Sequence, residues 1–199
     1  MSLTPHQIRM GQEIVRFEGR YKDGKLQVYK LPPGDGGGEY EIAGINEKYH
    51  PKTAAKLKSL IELGQHEQAE TMAATYIAEY TDGVCAFFPS DQLRVANPGV
   101  EFVLRDCAFN RGKKGAATIL QLALEVDVDG VIGPVSRAAF AAGLKDQSAM
   151  IGKLSAAREK YERNRYAWKP NARDESSKFW PGLSNRWAKA HEVGQSFIV

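Results

Sequence analysis

Residues 17–21, with the sequence FEGRY, lie where a helical pattern gives way to a strand pattern. The preceding helix is predicted to begin after Thr4, because Thr4 and Gln7 have capping-box spacing and Pro5 takes the first helical position. At about 100° per residue, Glu18 lies beside the apolar stripe of this helix. Partial burial and the negative end of the helix dipole both favour a protonated carboxyl, which a general acid needs. The alternative interpretation is a glutamate that reaches solvent at a helix end.

Two short strands are predicted directly after this glutamate. Residues 25–31 (KLQVYKL) alternate apolar and polar side chains, and residues 39–45 (EYEIAGI) form a second short strand pattern. The intervening residues 32–38 (PPGDGGG) are too rich in proline and glycine for a helix or a strand, so they predict a turn. The predicted order is therefore a helix, a glutamate and a β-hairpin.

This order resembles the lysozyme-like muramidases, and more closely glycoside hydrolase family 108. The family's Glu-Gly-Gly-Tyr motif, its Asp, its Gly-Gly pair and its Gly-Ile pair correspond to residues 18–21, Asp35, residues 37–38 and residues 44–45. The resemblance implies that Glu18 is the catalytic acid.

The C-terminal half resembles the helical peptidoglycan-binding region that accompanies this catalytic segment in the same family. The family's motifs recur here in the same order, at residues 106–112 (DCAFNRG), 120–121 (LQ), 128–134 (VDGVIGP) and 179–186 (FWPGLSNR). The resemblance implies peptidoglycan as the partner of the whole chain.

The predicted fold class is mainly α, a lysozyme-like helical fold with a small β-hairpin beside the active cleft. A lysozyme-like catalytic segment is expected over residues 1–96 and a helical peptidoglycan-binding region over residues 97–199, packed as one compact unit. Apolar periodicity, prolines and glycines predict further helices at residues 51–63, 66–80, 100–110, 116–125, 134–142 and 148–166, and from about Pro181.

The implied reaction is hydrolysis of the peptidoglycan glycan strand after N-acetylmuramic acid. Glycoside cleavage needs a proton donor, here Glu18, and a second group for an oxocarbenium-like transition state. The hairpin offers Asp35, Glu39 and Glu41. Asp35 matches the family's Asp and is preferred, although an aspartate before glycine is equally natural in a turn. Substrate contacts are predicted at aromatic, amide and carboxylate side chains of the matched motifs, namely Tyr21, Tyr40, Glu41, Asp106 and Asn110.

Composition bears on other classes of function. The net charge is +3, and no apolar run approaches the roughly 20 residues of a membrane span. The four histidines lack zinc-ligand spacing, so no metal or cofactor is predicted. No nucleic-acid-binding motif accompanies the basic C-terminal region. Cys85 and Cys107 are expected to be small buried residues, with one disulfide as the alternative.

Two alternative functions and the route of delivery stay open at the level of sequence. Arg20 and Tyr40 stand where the family has its second glycine and its threonine. These departures keep open a first alternative, a non-catalytic peptidoglycan-binding or secretion-accessory protein with the same fold. A lytic transglycosylase is the third reading. No ordinary signal peptide is visible, which predicts synthesis in the cytoplasm and passage to the cell wall through a holin pore or a secretion machine.

Overall fold

The computed structural model of this chain describes residues 3–32, 38–163, 175–177 and 179–198. Within these ranges the protein is mainly α-helical with short antiparallel strands, which confirms the predicted mainly α class. Asp35, most of the predicted turn at residues 32–38 and the predicted end of the helix at residues 148–166 lie outside the described residues.

The chain divides into two compact units, Met1–Tyr80 (unit 1) and Thr81–Val199 (unit 2). The boundary predicted from the sequence lies later, after Ala96. The described residues of unit 1 form, in chain order, α1 (Pro5–Glu18), β1 (Tyr21–Lys22), β2 (Lys25–Leu26), β3 (Tyr29–Lys30), β4 (Tyr40–Ile42), β5 (Ile45–Asn46), α2 (Pro51–Glu62) and α3 (His66–Tyr80).

Helix α1 begins and ends as its sequence predicts. The Thr4 hydroxyl accepts a hydrogen bond from the Gln7 N–H, and the Gln7 side chain accepts one from the Thr4 N–H, which completes the capping box. The buried face of the helix packs against α3. A Cβ at Gly11 would lie 2.2 Å from the Ala74 carbonyl oxygen, so glycine is required for this close approach.

The strands form two separate sheets, and the single strand predicted over residues 25–31 is corrected. Its first part, β2, pairs with β1, while its second part, β3, pairs with β4, and β4 pairs with β5. Asp23-Gly24 and Ala43-Gly44 have positive φ at both positions, as two-residue hairpin turns require. The turn at Ala43-Gly44 also divides the second predicted strand, residues 39–45, into β4 and β5.

In the described residues of unit 2, all the regular secondary structure is helical. It contains a 3-10 helix (Asp82–Phe87), α4 (Asp91–Val95), α5 (Pro98–Leu124), α6 (Pro134–Gly143), α7 (Gln147–Arg163) and α8 (Trp180–Ser196). Helix α5 packs against α7, α8 and the 3-10 helix, and most of its side chains are buried. The two helices predicted at residues 100–110 and 116–125 are the two arms of α5, which is kinked at Gly112 (φ 70°, ψ 169°). This backbone conformation is essentially restricted to glycine.

Proline marks the start of most of these helices. It occupies the first turn of α1, α2, α5, α6 and α8, where the missing N–H has no intrahelical partner to lose. Among the described residues, no helix combines the length and the apolar character needed to cross a membrane.

Candidate functional site

The candidate acid Glu18 is the last residue of α1 and is half-buried. The chain turns sharply after it, since Gly19 leaves the helix in an extended conformation (φ −67°, ψ 143°). A Cβ at Gly19 would lie 2.6 Å from the Tyr21 ring and 2.8 Å from the Val15 carbonyl oxygen. Glycine at this position therefore allows the hairpin to begin directly against the end of the helix.

Tyr21 connects the first hairpin to α3. Its hydroxyl is hydrogen-bonded to the Glu70 carboxylate, and its side chain is 40% exposed. Burial raises the pKa of Tyr21, and the neighbouring negative charge of Glu70 raises it further, so the phenol stays neutral. The neighbouring Leu26 carbonyl contacts His66 Nδ1 at 2.9 Å. These contacts hold the β1–β2 hairpin against α3 and leave part of the Tyr21 ring accessible.

One face of the three-stranded sheet carries a row of polar side chains. The register aligns Tyr29 on β3 with Glu41 on β4, and Glu41 with Asn46 on β5. Directly opposite residues in antiparallel strands share a face, so these three side chains lie side by side. All three are half-buried. This polar row is the feature that sequence reasoning missed, apart from Glu41, because its membership depends on the register.

The segment after Glu18 contacts this same face of the sheet. The Arg20 guanidinium carbon lies 5.0 Å from the centre of the Tyr29 ring, and the Arg20 carbonyl accepts a hydrogen bond from the Gln27 N–H. The chain therefore leads from Glu18 through Gly19 to Arg20, which touches the first member of the polar row. Glu41 is the neighbour of Tyr29 in this row, and Glu18 lies two residues before Arg20.

The opposite face of the sheet packs against α2. Side chains alternate along a strand, so Tyr40 points away from the polar row that contains Glu41. Lys58 Nζ of α2 lies 5.0 Å from the centre of the Tyr40 ring, and the neighbouring Ile42 is fully buried. Tyr40 and Glu41, both predicted to contact substrate, are therefore separated by the sheet.

The other carboxylates predicted in the hairpin are Glu39 and Asp35. Glu39 is exposed, and its N–H donates a hydrogen bond to Glu47 Oε2 at 3.1 Å. Asp35 lies outside the described residues.

A separate polar cavity of about 160 Å³ lies between α1 and α3 and is lined by Gln12, Arg16 and Glu70 among others. It is smaller than ordinary ligand pockets.

In unit 2, the Asp106 carboxylate is fully buried in an arginine-rich cluster. Arg186 Nη2 lies 2.6 Å from Asp106 Oδ1, and Arg158 Nη2 lies 2.7 Å from Asp106 Oδ2. Burial alone would raise the pKa of Asp106, but the charges of Arg186 and Arg158 outweigh it and hold the pKa below its ordinary value. The Asn110 side chain donates to the Asp106 carbonyl of its own helix. Asp106 joins α5, α7 and α8, and its burial does not fit the predicted contact with substrate.

Two further motifs of unit 2 meet at Gln121. The Gln121 amide donates to Asp129 Oδ1 at 2.6 Å and to the Val131 carbonyl at 3.0 Å, and its oxygen accepts from the Gly130 N–H at 2.7 Å. One side chain thus satisfies three groups of the loop before α6. The motifs at residues 120–121 and 128–134 are therefore explained by the folding of this loop.

Cys85 and Cys107 both remain thiols. Cys107 is buried as predicted, whereas Cys85 is half-buried and contacts Asp82 and Arg105. Burial raises the pKa of Cys85 to about 12 and that of Cys107 to about 11. Neither sulfur has the lowered pKa of a nucleophilic cysteine.

No protein-family model matches this chain, and no curated protein is significantly similar to it in sequence. The resemblance to muramidases therefore depends on the short motifs alone. In the ranges that the structure describes, no three His, Cys, Asp or Glu side chains are grouped closely enough to hold a metal ion.

Proposed function

We propose that this protein hydrolyses the glycan strand of bacterial peptidoglycan after N-acetylmuramic acid, with Glu18 as the general acid. The observation that carries the proposal is the junction between α1 and the strands. A half-buried glutamate ends the helix, and the next residues lead to a sheet face that carries Tyr29, Glu41 and Asn46.

The chemistry requires two groups with different roles. Glu18 would give its proton to the leaving glycosidic oxygen, and a second carboxylate would attack the sugar or activate a water molecule. Glu41 is the candidate favoured by the register, because it shares a face with Tyr29, which Arg20 contacts. Asp35, preferred on the family resemblance, remains the other candidate.

The neighbouring side chains suit a sugar ligand. Tyr21 and Tyr29 offer aromatic faces, and Asn46 offers an amide that both donates and accepts hydrogen bonds. Sugars present apolar ring faces between hydroxyl groups, so this mixture of aromatic and amide groups supports a glycan. The site of action would be the cell wall, reached from the cytoplasm by the routes named above.

One observation favours the non-catalytic alternative. Arg20 replaces a glycine of the family motif, and its guanidinium covers the Tyr29 ring. If Arg20 keeps this position when glycan binds, the polar row is partly blocked and the chain binds the wall without cleaving it. Removing the Arg20 side chain, as in Arg20→Gly, would then raise binding or activity.

The decisive experiment is digestion of purified sacculi by Glu18→Gln, with Glu62→Gln as the matched control. Glu62 also ends a helix, but its side chain is 64% exposed and only loosely paired with Lys58 at 3.8 Å. We expect Glu18→Gln to lose activity by a factor on the order of 100 or more, and Glu62→Gln to keep it.

Mass spectrometry of the products separates the remaining readings. Free reducing ends indicate hydrolysis, 1,6-anhydro ends indicate a lytic transglycosylase, and sacculus binding without soluble products indicates a wall-binding protein. Full activity in Glu18→Gln would contradict the assignment of the acid.

A further inference from the structure

The buried cluster around Asp106 contains more positive than negative charge. Arg158 and Arg186 share the single carboxylate of Asp106, one at each oxygen, at 2.7 and 2.6 Å. Arg111 has a carboxylate of its own, since its Nε lies 2.5 Å from Glu162 Oε1. Three guanidinium groups therefore face two carboxylates, which leaves the described part of this cluster with a charge of +1.

Water screens this excess charge only weakly, because its carriers are buried. The Asp106 side chain is inaccessible, and the Arg158 and Arg186 side chains are 4% and 13% exposed. A buried charge without a counter-charge strongly destabilises a fold. The cluster therefore favours a further negative group in contact with its arginines.

One nitrogen of the cluster has a hydrogen bond to donate. Arg158 Nη1 is buried and has no hydrogen-bond partner among the described residues. The same guanidinium is held in position by the ion pair between its Nη2 and Asp106. A buried donor that makes no hydrogen bond is costly, and such groups are commonly satisfied by an ordered water molecule or an ion.

Arg158 lines a small cavity together with Arg111 and Arg186. The cavity has a volume of about 10 Å³ and lies among α5, α7 and α8. This volume suits one water molecule or one monatomic ion. It is too small for a phosphate, a carboxylic acid or a sugar, whose pockets are far larger.

The charge of the lining favours an anion over water. The described lining includes one carboxylate, Glu162, which Arg111 binds, and apolar side chains of α5 and α8. A water molecule would satisfy Arg158 Nη1 but would leave the charge of the cluster uncompensated, whereas a monatomic anion would do both. Guanidinium is weakly hydrated and gives up its water more readily than ammonium does, which suits a weakly hydrated anion such as chloride.

We propose that this cavity binds one chloride ion, which accepts the Arg158 Nη1 hydrogen bond and compensates the excess charge of the arginines. Asp106 supplies one counter-charge to Arg158 and Arg186, and chloride supplies the second. Because the ion would contact α5, α7 and α8 together, the stability of unit 2 depends on the chloride concentration. The proposal depends only on the packing of unit 2 and holds whether or not the chain cleaves glycan.

The first test is thermal unfolding of the full chain, followed by tryptophan fluorescence, in sodium chloride and in sodium gluconate of equal ionic strength. Both salts screen surface charges equally, but gluconate is too large for the cavity. We expect chloride to raise the melting temperature by about 2 °C or more, with saturation as the site fills. Equal melting temperatures in the two salts would overturn the proposal.

The variant Arg158→Met assigns the effect to this site. It removes the excess charge and the donor, while Asp106 stays paired with Arg186. The matched control is Arg163→Met on the same helix, because Arg163 is paired with Glu159 at the surface and does not line the cavity. We expect the chloride-dependent shift to vanish in Arg158→Met and to persist in Arg163→Met. A shift of wild-type size in Arg158→Met would refute the site.

A direct measurement on the wild-type chain covers the case in which Arg158→Met does not fold. Crystals grown in sodium chloride and measured at long wavelength distinguish chloride from water by its anomalous scattering. We expect an anomalous peak in contact with Arg158 Nη1. A water molecule there, without anomalous signal, would overturn the proposal.

Discussion

The carboxylates of the candidate site in unit 1 keep contact with solvent, whereas those at the centre of unit 2 are buried against arginines. Glu18 at the end of α1 and Glu41 on β4 are both half-buried. Asp106 is fully buried between Arg158 and Arg186, and Glu101 is bound by Arg94 and Arg105. A motif resemblance therefore has different meanings in the two units. In unit 1 it falls on half-buried carboxylates, and in unit 2 it falls on a buried carboxylate that joins three helices.

The largest expected effect tests the structural half of this comparison. Asp106→Asn would leave Arg158 and Arg186 buried without their counter-charge, which costs about 3–5 kcal/mol of unfolding free energy. Urea unfolding followed by tryptophan fluorescence measures it, since all the tryptophans of the chain belong to unit 2.

Glu159→Gln serves as its control. Glu159 pairs with Arg163 at the surface, with 46% of its side chain exposed, so its loss should cost less than about 1 kcal/mol. If the two substitutions lowered the free energy of unfolding equally, the buried cluster would contribute no more to stability than a surface ion pair does.

A smaller effect is expected at the kink of α5. Gly112→Ala forces a side chain into a backbone conformation that is essentially restricted to glycine, and it should cost about 1–3 kcal/mol. Gly152→Ala in α7 is the matched control, because nothing lies within 4 Å of its Cβ position. That control should be neutral or stabilise by up to about 1 kcal/mol. The same fluorescence-detected unfolding compares them, and a neutral Gly112→Ala would mean that the kink is not strained.

The smallest expected effect is a loss of stability at low pH. The pKa of Asp106 is held below its ordinary value by Arg186 and Arg158, against the opposing effect of burial. Because the pKa of Asp106 is lower in the folded chain than in the unfolded chain, its ionisation stabilises the fold. This stabilisation is fully present above the pKa of the unfolded chain, about 3.9, and is lost as the pH falls through the pKa of the folded chain. Unfolding of unit 2 should therefore become easier as the pH falls below about 4. Asp106→Asn should lose less stability over the same fall in pH, and a parallel loss in both proteins would contradict the role of Asp106.

The helices follow local signals and could be predicted from the sequence. The capping box and proline place the start of α1, and the pattern of α3 gives its bounds, His66–Tyr80, without correction. The sequence predicts two helices at residues 100–110 and 116–125, and they correspond to the two arms of α5 on either side of Gly112, where the backbone is not helical.

The candidate site could be predicted only in part. Glu18 is identified by its place at the end of a helix, which is a local feature. The face on which Glu41 lies depends on the turn at Ala43-Gly44, and alanine with positive φ has no recognisable sequence signal. The burial of Asp106 depends on Arg158 and Arg186, which are distant in the sequence and can be matched to it only in the folded chain.

The most direct test of the central claim is the rate at which Glu18→Gln and Asp106→Asn release reducing ends from sacculi, each expressed per folded molecule. We expect Glu18→Gln to melt like the wild type and to release reducing ends at least about 100-fold more slowly. Asp106→Asn should melt at a lower temperature but release reducing ends at the wild-type rate wherever it is folded. A folded Glu18→Gln that works at the wild-type rate would contradict the claim that this carboxyl is the acid.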